Sequence, residues 1–427
     1  MKRLLLTVAV ATASSCLVGC LGKNRTSPVG PQAIRKVDEG LRGERPQIDK
    51  ERVEAFGFKL HWDSPIRDEI LTSLSLEGDQ LYAFTKSYRL YQIDMHSGMV
   101  NWVYDVGKPL SFTETGRPIC EWLYEVGPDD KYKQYDEIYF VADDVLVGLD
   151  KKNGSELFTT RLTFTPSSAP QASPTHVFVG SWDDRIYAIR KDFPAVADWS
   201  WRTRGDVRTR PAYNSPTIFV SSRDATMYTF DAATGRRKWP WKTDQQITQD
   251  ALVYKSLLYL PSDDYNLYVL DVSDGLLHHR TCVGSPITTQ PVGVDKTIYF
   301  GSKRGGIHAL LRKGRPQASQ GNPRKVEHEL LWNRKEATRF LCKGAEDVYV
   351  LEPGEEGSGG FSVARLDSKD GHFRDSLPLS GVDYWISNDL SPADFDRKRA
   401  IRGGIIFLGF RSGWIVALKE TATIPGA

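Results

Sequence analysis

Short runs in which apolar and polar residues alternate recur along the whole chain, as in Met227-Tyr-Thr-Phe230, and each ends in a turn-forming residue. Alternation with period two is what a strand with two differently packed faces requires. Eight such runs end at Asp94, Asp150, Arg190, Asp231, Asp271, Leu311, Asp367 and Lys419. The inner spacings are 40, 41, 40 and 40 residues, and the outer ones stretch to 56, 56 and 52. A period near 40 in a chain of short aromatic and β-branched strands predicts a propeller, one four-stranded blade per repeat. The fold expected is therefore all-β, an eight-bladed β-propeller of four-stranded antiparallel blades.

Turn chemistry supports the repeat. An Asp-x-x-x-Gly step occurs as Asp94/Gly98, Asp150/Gly154, Asp231/Gly235, Asp271/Gly275 and Asp367/Gly371. The aspartate can accept a hydrogen bond from its own backbone two residues on, and the glycine takes a positive φ without steric cost. Four residues after each glycine stands Trp102, Phe158, Trp239, His279 or Asp375. A large ring there is expected to wedge between blades, burying roughly 150–250 Å² when it is tryptophan.

The last repeat, Ile405 to Leu418, is followed by only nine residues, too few for another outer strand. Phe58-Lys-Leu-His-Trp62 near the start looks like an outer strand without a blade. Pairing the two closes the ring and leaves no free terminal edge.

The step Asp-x-x-Thr-Gly-x-x-x-Trp after Tyr-Ala-Leu-type strands resembles the repeat of PQQ-type eight-bladed propellers. That family includes quinoprotein alcohol dehydrogenases and outer-membrane assembly lipoproteins of the BamB type. The resemblance covers nearly all of residues 58–420, and Arg190, Leu311 and Lys419 depart from it. It implies a propeller that acts either as a quinone-dependent enzyme or as a scaffold that helps insert outer-membrane β-barrels.

Met1-Lys-Arg followed by an uncharged stretch from Leu4 to Leu17 reads as a secretory signal, too short for a comfortable membrane span. It ends in Leu17-Val-Gly-Cys20, similar to a bacterial lipobox with Cys20 as the lipid attachment residue. By resemblance to enterobacterial sorting, Leu21 after it favours the outer membrane. The expected organisation is a signal peptide over 1–19, Cys20 with a flexible tether over 20–52, and one propeller domain over 53–427. The location expected is lipid-anchored on the periplasmic side of the outer membrane.

With Lys2 and Arg3 removed from the 56 basic residues, the body balances its 54 acidic ones, against nucleic acid as a partner. Of five cysteines, Cys16 lies in the signal, Cys20 takes lipid, and Cys120, Cys282 and Cys342 remain. One disulfide among these three is possible in an exported protein, while Cys282 and Cys342 read first as small buried hydrophobes.

Enzymes of the resembled family carry an adjacent cysteine pair, a calcium-binding acidic cluster and, in some, a haem segment. This chain has no adjacent cysteines and no Cys-x-x-Cys-His, so no enzyme, cofactor or metal is expected. His278-His279 lie in a strand, where successive side chains point to opposite faces. Asp143-Asp144, Asp183-Asp184 and Asp263-Asp264 read as turn residues. Gly354 to Gly360 lacks the Gly-Lys-Ser/Thr ending of a phosphate cradle.

What remains is a protein-binding face. The connectors into the innermost strands place Arg208, Arg210, Gln249, Asp250 and Gln290 at the channel mouth. The turns around them carry Trp182, Arg185, Arg223, Tyr265 and Arg304. Arginine with exposed tryptophan and tyrosine is what binding hot spots favour. Insertions at about 110–136, 312–330 and 376–400 follow from the long spacings, the first aromatic and the second basic. The reading is a monomeric, non-enzymatic scaffold whose partner is an outer-membrane assembly protein or another envelope protein. A quinone-dependent or small-ligand-binding propeller is the alternative.

Overall fold

The chain builds eight sheets arranged as blades, seen in a computed structural model that describes residues 26–27, 44–66, 70–110, 119–126, 132–314, 325–354, 360–387 and 404–421. Blade 4 shows the unit, with strands Ala212–Asn214, Thr217–Ser221, Thr226–Asp231 and Trp241–Lys242 running from the channel outward. Neighbouring strands are antiparallel, with Thr217 opposite Asp231 and Ser221 opposite Met227. The two middle strands of each blade are buried on both faces, as in Thr217–Ser221, so the core is a series of apolar seams between blades.

Phe58–Pro65 pairs with Trp414–Glu420 and becomes the outer strand of blade 8, whose inner strands are Tyr384–Ser387 and Ile405–Gly409. The two ends of the chain thus close one sheet, as the sequence predicts. A short helix, Lys50–Ala55, precedes it, with Asp49 accepting from the Arg52 N–H at its N-terminus. Its Val53 is 1% exposed and Phe56 just after it 2%, so the helix packs on the propeller across the expected boundary at 52/53. Within the aromatic insertion near 110–136, Ile119–Val126 pairs with Tyr132–Ala142 and extends the inner hairpin of blade 2.

Trp102 in the outer strand of blade 1 is fully buried and lies on the Asp150–Gly154 turn of blade 2. Its indole N–H donates to the Lys151 carbonyl at 2.8 Å. Gly154 has φ +67°, and a Cβ there would sit 2.6 Å from the Trp102 ring, so glycine is required twice over. The Asp150 carboxylate accepts from the Lys152 N–H at 2.7 Å and shapes the turn.

The same contact joins Trp62 to Gly98, Trp199 to Gly235, Trp239 to Gly275 and Trp332 to Gly371. Trp62, Trp199 and Trp332 also donate to the carbonyl one residue past the turn aspartate, Met95, Ala232 and Ser368.

Three of the five tryptophans come from the blades with an irregular turn, those of Arg190, Leu311 and Lys419. Spacing from the glycine could not find them, because these blades have no such glycine. Conversely, each blade that precedes an irregular turn carries Phe158, His279 or Asp375 instead of tryptophan. Ring and glycine turn are kept or lost together, which is expected if each is useful only against the other.

The three remaining seams are each solved differently. Between blades 2 and 3, Lys191 sits 4.8 Å over the Tyr139 ring and pairs with Glu137 at 2.8 Å. Between blades 7 and 8, Phe58 meets Tyr349 edge-on at 4.8 Å, and the Tyr349 hydroxyl donates to Glu420 at 2.8 Å.

Between blades 5 and 6, the His279 and His328 rings are 5.4 Å apart. His328 Nε2 meets the Tyr259 hydroxyl at 3.1 Å. His278 accepts from the Val326 N–H at 2.9 Å, and a register shift in its strand falls at this point, so both histidines meet the same segment of blade 6 rather than pointing apart as expected. Cys342 is buried, as expected. Cys282 is a free thiol, but exposed, which corrects its reading as a buried hydrophobe.

Two outcomes follow from these seams. Trp102→Ala should lower stability by about 3–5 kcal/mol in urea denaturation, with Trp102→Phe recovering part of the loss. Burial depresses both His308 and His328 to about 4 from an unfolded value of 6.5, so both are neutral in the fold. The unfolded chain binds their protons first, so stability should be full above pH 6.5 and decline as pH falls toward 4. His328→Gln should flatten that decline, measured as urea midpoints at pH 7.5 and 4.5.

Candidate protein-binding face

Hydrogen bonds fix which loops share a face. The Arg204 N–H, in the connector leaving blade 3, donates to Asp224 Oδ2 in the turn between the second and third strands of blade 4, at 2.9 Å. Asp244 N–H to Asp264 Oδ2 at 3.0 Å and Lys108 Nζ to Asp144 at 2.7 Å repeat the contact at blades 5 and 2. The paired turn aspartates are thus acceptors that bind connector to turn. Burial works against ionisation of Asp264, yet the Asp244 N–H and the Tyr268 hydroxyl hold its carboxyl below the usual range. Asp144 falls to about 2 beside Lys108 and Arg161. No group of three or more His, Cys, Asp or Glu side chains among the described residues is placed to hold a metal.

The sequence-predicted residues divide into two levels on this face. Trp182 is 50% and Tyr265 46% exposed, and Arg304 also stands in solvent. Arg185, Arg208, Arg223, Gln249 and Gln290 are half-buried around them. Arg208 stacks over the Trp182 ring at 3.9 Å and is held from its other side by Asp206, which fixes both side chains.

Arg210 and Asp250 are corrections. They lie inside the channel wall, 9% and 1% exposed, out of a partner's reach. The Asp250 carboxylate accepts from the Arg210 N–H at 2.8 Å, joining blades 4 and 5. The Arg210 guanidinium pairs with Glu77 of blade 1 at 3.1 Å and donates to Gln171 of blade 3 at 3.1 Å. Glu77 is 2% exposed, so the pair is sealed within the channel. A long arginine reaching from one inner strand to another three blades away could not be read from a local pattern.

The structure adds residues that sequence reasoning missed. Tyr88 in blade 1 occupies the same turn as Trp182 and Tyr265 and is 42% exposed, and Phe361, the first residue of the third strand of blade 7, is 40% exposed at the same end of its blade. Blades 1, 3, 5 and 7 therefore each present an aromatic ring on one face. The corresponding turns of blades 2, 4, 6 and 8 present Asp143, Arg223, Lys303 with Arg304, and Arg411.

Tyr88 and Tyr265 have φ +62° and +74°, a conformation unfavourable for a bulky side chain. Asp184, Ala225 and Gly413 are left-handed at the same place in blades 3, 4 and 8, so the conformation belongs to the repeated turn, and the tyrosines accept it while keeping their rings exposed. The signal available in the sequence was the shared position in the repeat.

The channel pair has a direct test. Glu77→Gln should cost about 3–5 kcal/mol by stranding a buried guanidinium, while the double change Glu77→Leu with Arg210→Met should recover most of it in thermal unfolding.

Comparison with known proteins agrees with this architecture. The family model for outer membrane protein assembly factor BamB matches residues 195–351. BamB from Moraxella catarrhalis superposes with a TM-score of 0.61 at 15% identity, covering 86% of this chain and 99% of that one. Quinohemoprotein alcohol dehydrogenase ADHIIG from Pseudomonas putida HK5 gives 0.56 at 13%, covering 92% and 80%. The enzyme from Comamonas testosteroni gives 0.55 at 12%, covering 90% and 80%. No curated protein sequence matches. The chain is an eight-bladed β-propeller whose central repeats match the BamB family model and whose overall fold is similar to that of BamB.

Proposed function

We propose that this protein is a non-enzymatic scaffold, lipid-anchored through Cys20 on the periplasmic side of the outer membrane, that assists assembly of outer-membrane β-barrel proteins. The observation that carries the proposal is the face with Tyr88, Trp182, Tyr265 and Phe361 exposed on alternate blades. Rigid turns that present aromatic rings and arginines suit protein contact, because they bury much apolar area with little entropy to lose. The BamB family model over 195–351 supports the choice of partner. Residues 1–25, including Cys20, lie outside the described residues, so the anchor is read from sequence.

The quinone-dependent reading is supported by the fold shared with the alcohol dehydrogenases. The residues present do not fit it. The channel is occupied by the chain's own Arg210–Glu77 pair with Gln171, and no two cysteines are adjacent in the sequence. Fold alone does not carry a chemistry.

The test is crosslinking of the lipidated protein in its native host, with the partners identified by mass spectrometry. Recovery of an outer-membrane barrel protein with its periplasmic domains supports the reading. Trp182→Ser with Tyr265→Ser should then weaken binding to those purified domains by at least tenfold without changing the urea midpoint. A different envelope protein in the crosslinks would refute the assembly role.

A further inference from the structure

Seven blades have four strands among the described residues, and blade 1 has five. The extra strand is Thr26–Ser27, which pairs antiparallel with the outer strand Val100–Asp105, Thr26 opposite Tyr104 and Ser27 opposite Val103. The next part of the chain to be described begins at residue 44, on the adjacent blade. There Arg45 Nε donates to Asp63 at 2.7 Å, and its guanidinium lies 5.9 Å from the Trp414 ring centroid. Both ends of this interval are therefore fixed to neighbouring blades, 8 and 1.

We infer that Thr26–Ser27 is a clip that docks the N-terminal segment on the edge of blade 1 and so turns the flank of that blade toward the membrane. The inference rests on the reading of Cys20 as the lipidated residue. Thr26 lies six residue steps beyond Cys20, and an extended chain covers at most about 3.3–3.6 Å per residue, so the clipped edge stays within roughly 20 Å of the anchor. Without the clip, the first fixed point would be Arg45, about 25 residues away, with a reach of roughly 85 Å.

An open sheet edge offers a row of backbone donors and acceptors that an extended segment can satisfy. The clip supplies that segment from the same chain. Blade 5, opposite blade 1 in a ring of eight, is then held farthest from the lipid. The aromatic face stands steeply to the bilayer, with Tyr265 on its far side and Trp182 a quarter turn from the clipped blade.

The test uses the full lipidated chain in phosphatidylethanolamine–phosphatidylglycerol vesicles. In a Cys120→Ser, Cys282→Ser background, Ser27→Cys with Val103→Cys should form an intramolecular disulfide on mild oxidation. Absence of that crosslink, or its appearance only between two copies, overturns the clip.

For orientation, a bimane on Asp105→Cys at the blade 1 edge is compared with one on the exposed native Cys282 of blade 5, using a nitroxide headgroup lipid as quencher. Quenching should be several-fold stronger at position 105, and Ser27→Pro should erase the difference by removing the paired N–H. Equal quenching at both sites with the disulfide intact overturns the orientation. Failure of the protein to stay on vesicles overturns the Cys20 reading and the orientation with it, while the crosslink still decides the clip.

Discussion

The seam between neighbouring blades is the constraint on which this propeller depends. A blade is a small twisted sheet with both faces apolar, and it is stable only between two others. Five of the eight seams use one device, a tryptophan lying on a glycine turn of the next blade, as with Trp102 on Gly154. The ring brings a large apolar area, and the missing Cβ lets it approach the backbone closely enough for the indole N–H to reach a carbonyl. Where one half of the device is absent the other is absent too, and aromatic, histidine or lysine contacts take over.

A ring built this way must also close. Trp62, carried by the strand that comes from the N-terminal end of the domain, does two things at once. It belongs to the outer strand of blade 8 and it packs on Gly98 of blade 1. Closure and seam packing are thus the same event there, and the helix with Val53 and Phe56 covers the adjacent seam. The Glu77–Arg210 pair adds a link through the channel between blades that share no seam. The result is a stiff frame on which surface turns can hold costly conformations, including the left-handed Tyr88 and Tyr265. That rigidity is what the docking role proposed for the aromatic face requires.

What the sequence determined by itself was everything that repeats. Periodic strands, Asp-x-x-x-Gly turns and a stray outer strand at Phe58 specify eight blades and their closure, because these features act between residues close in the chain or through one repeated register. The turn aspartates were legible for the same local reason. Tertiary structure alone decided what depends on contacts across blades. It placed Arg210 and Asp250 inside the channel rather than at its mouth, since burial follows from where the inner strands converge. It found Trp62, Trp199 and Trp332, whose glycine partners lie one blade ahead. It showed Cys282 in solvent and aligned Tyr88 and Phe361 with Trp182 and Tyr265. A repeat encodes its own unit, but which side chains meet, and which stay exposed, is set only when the ring brings distant units together.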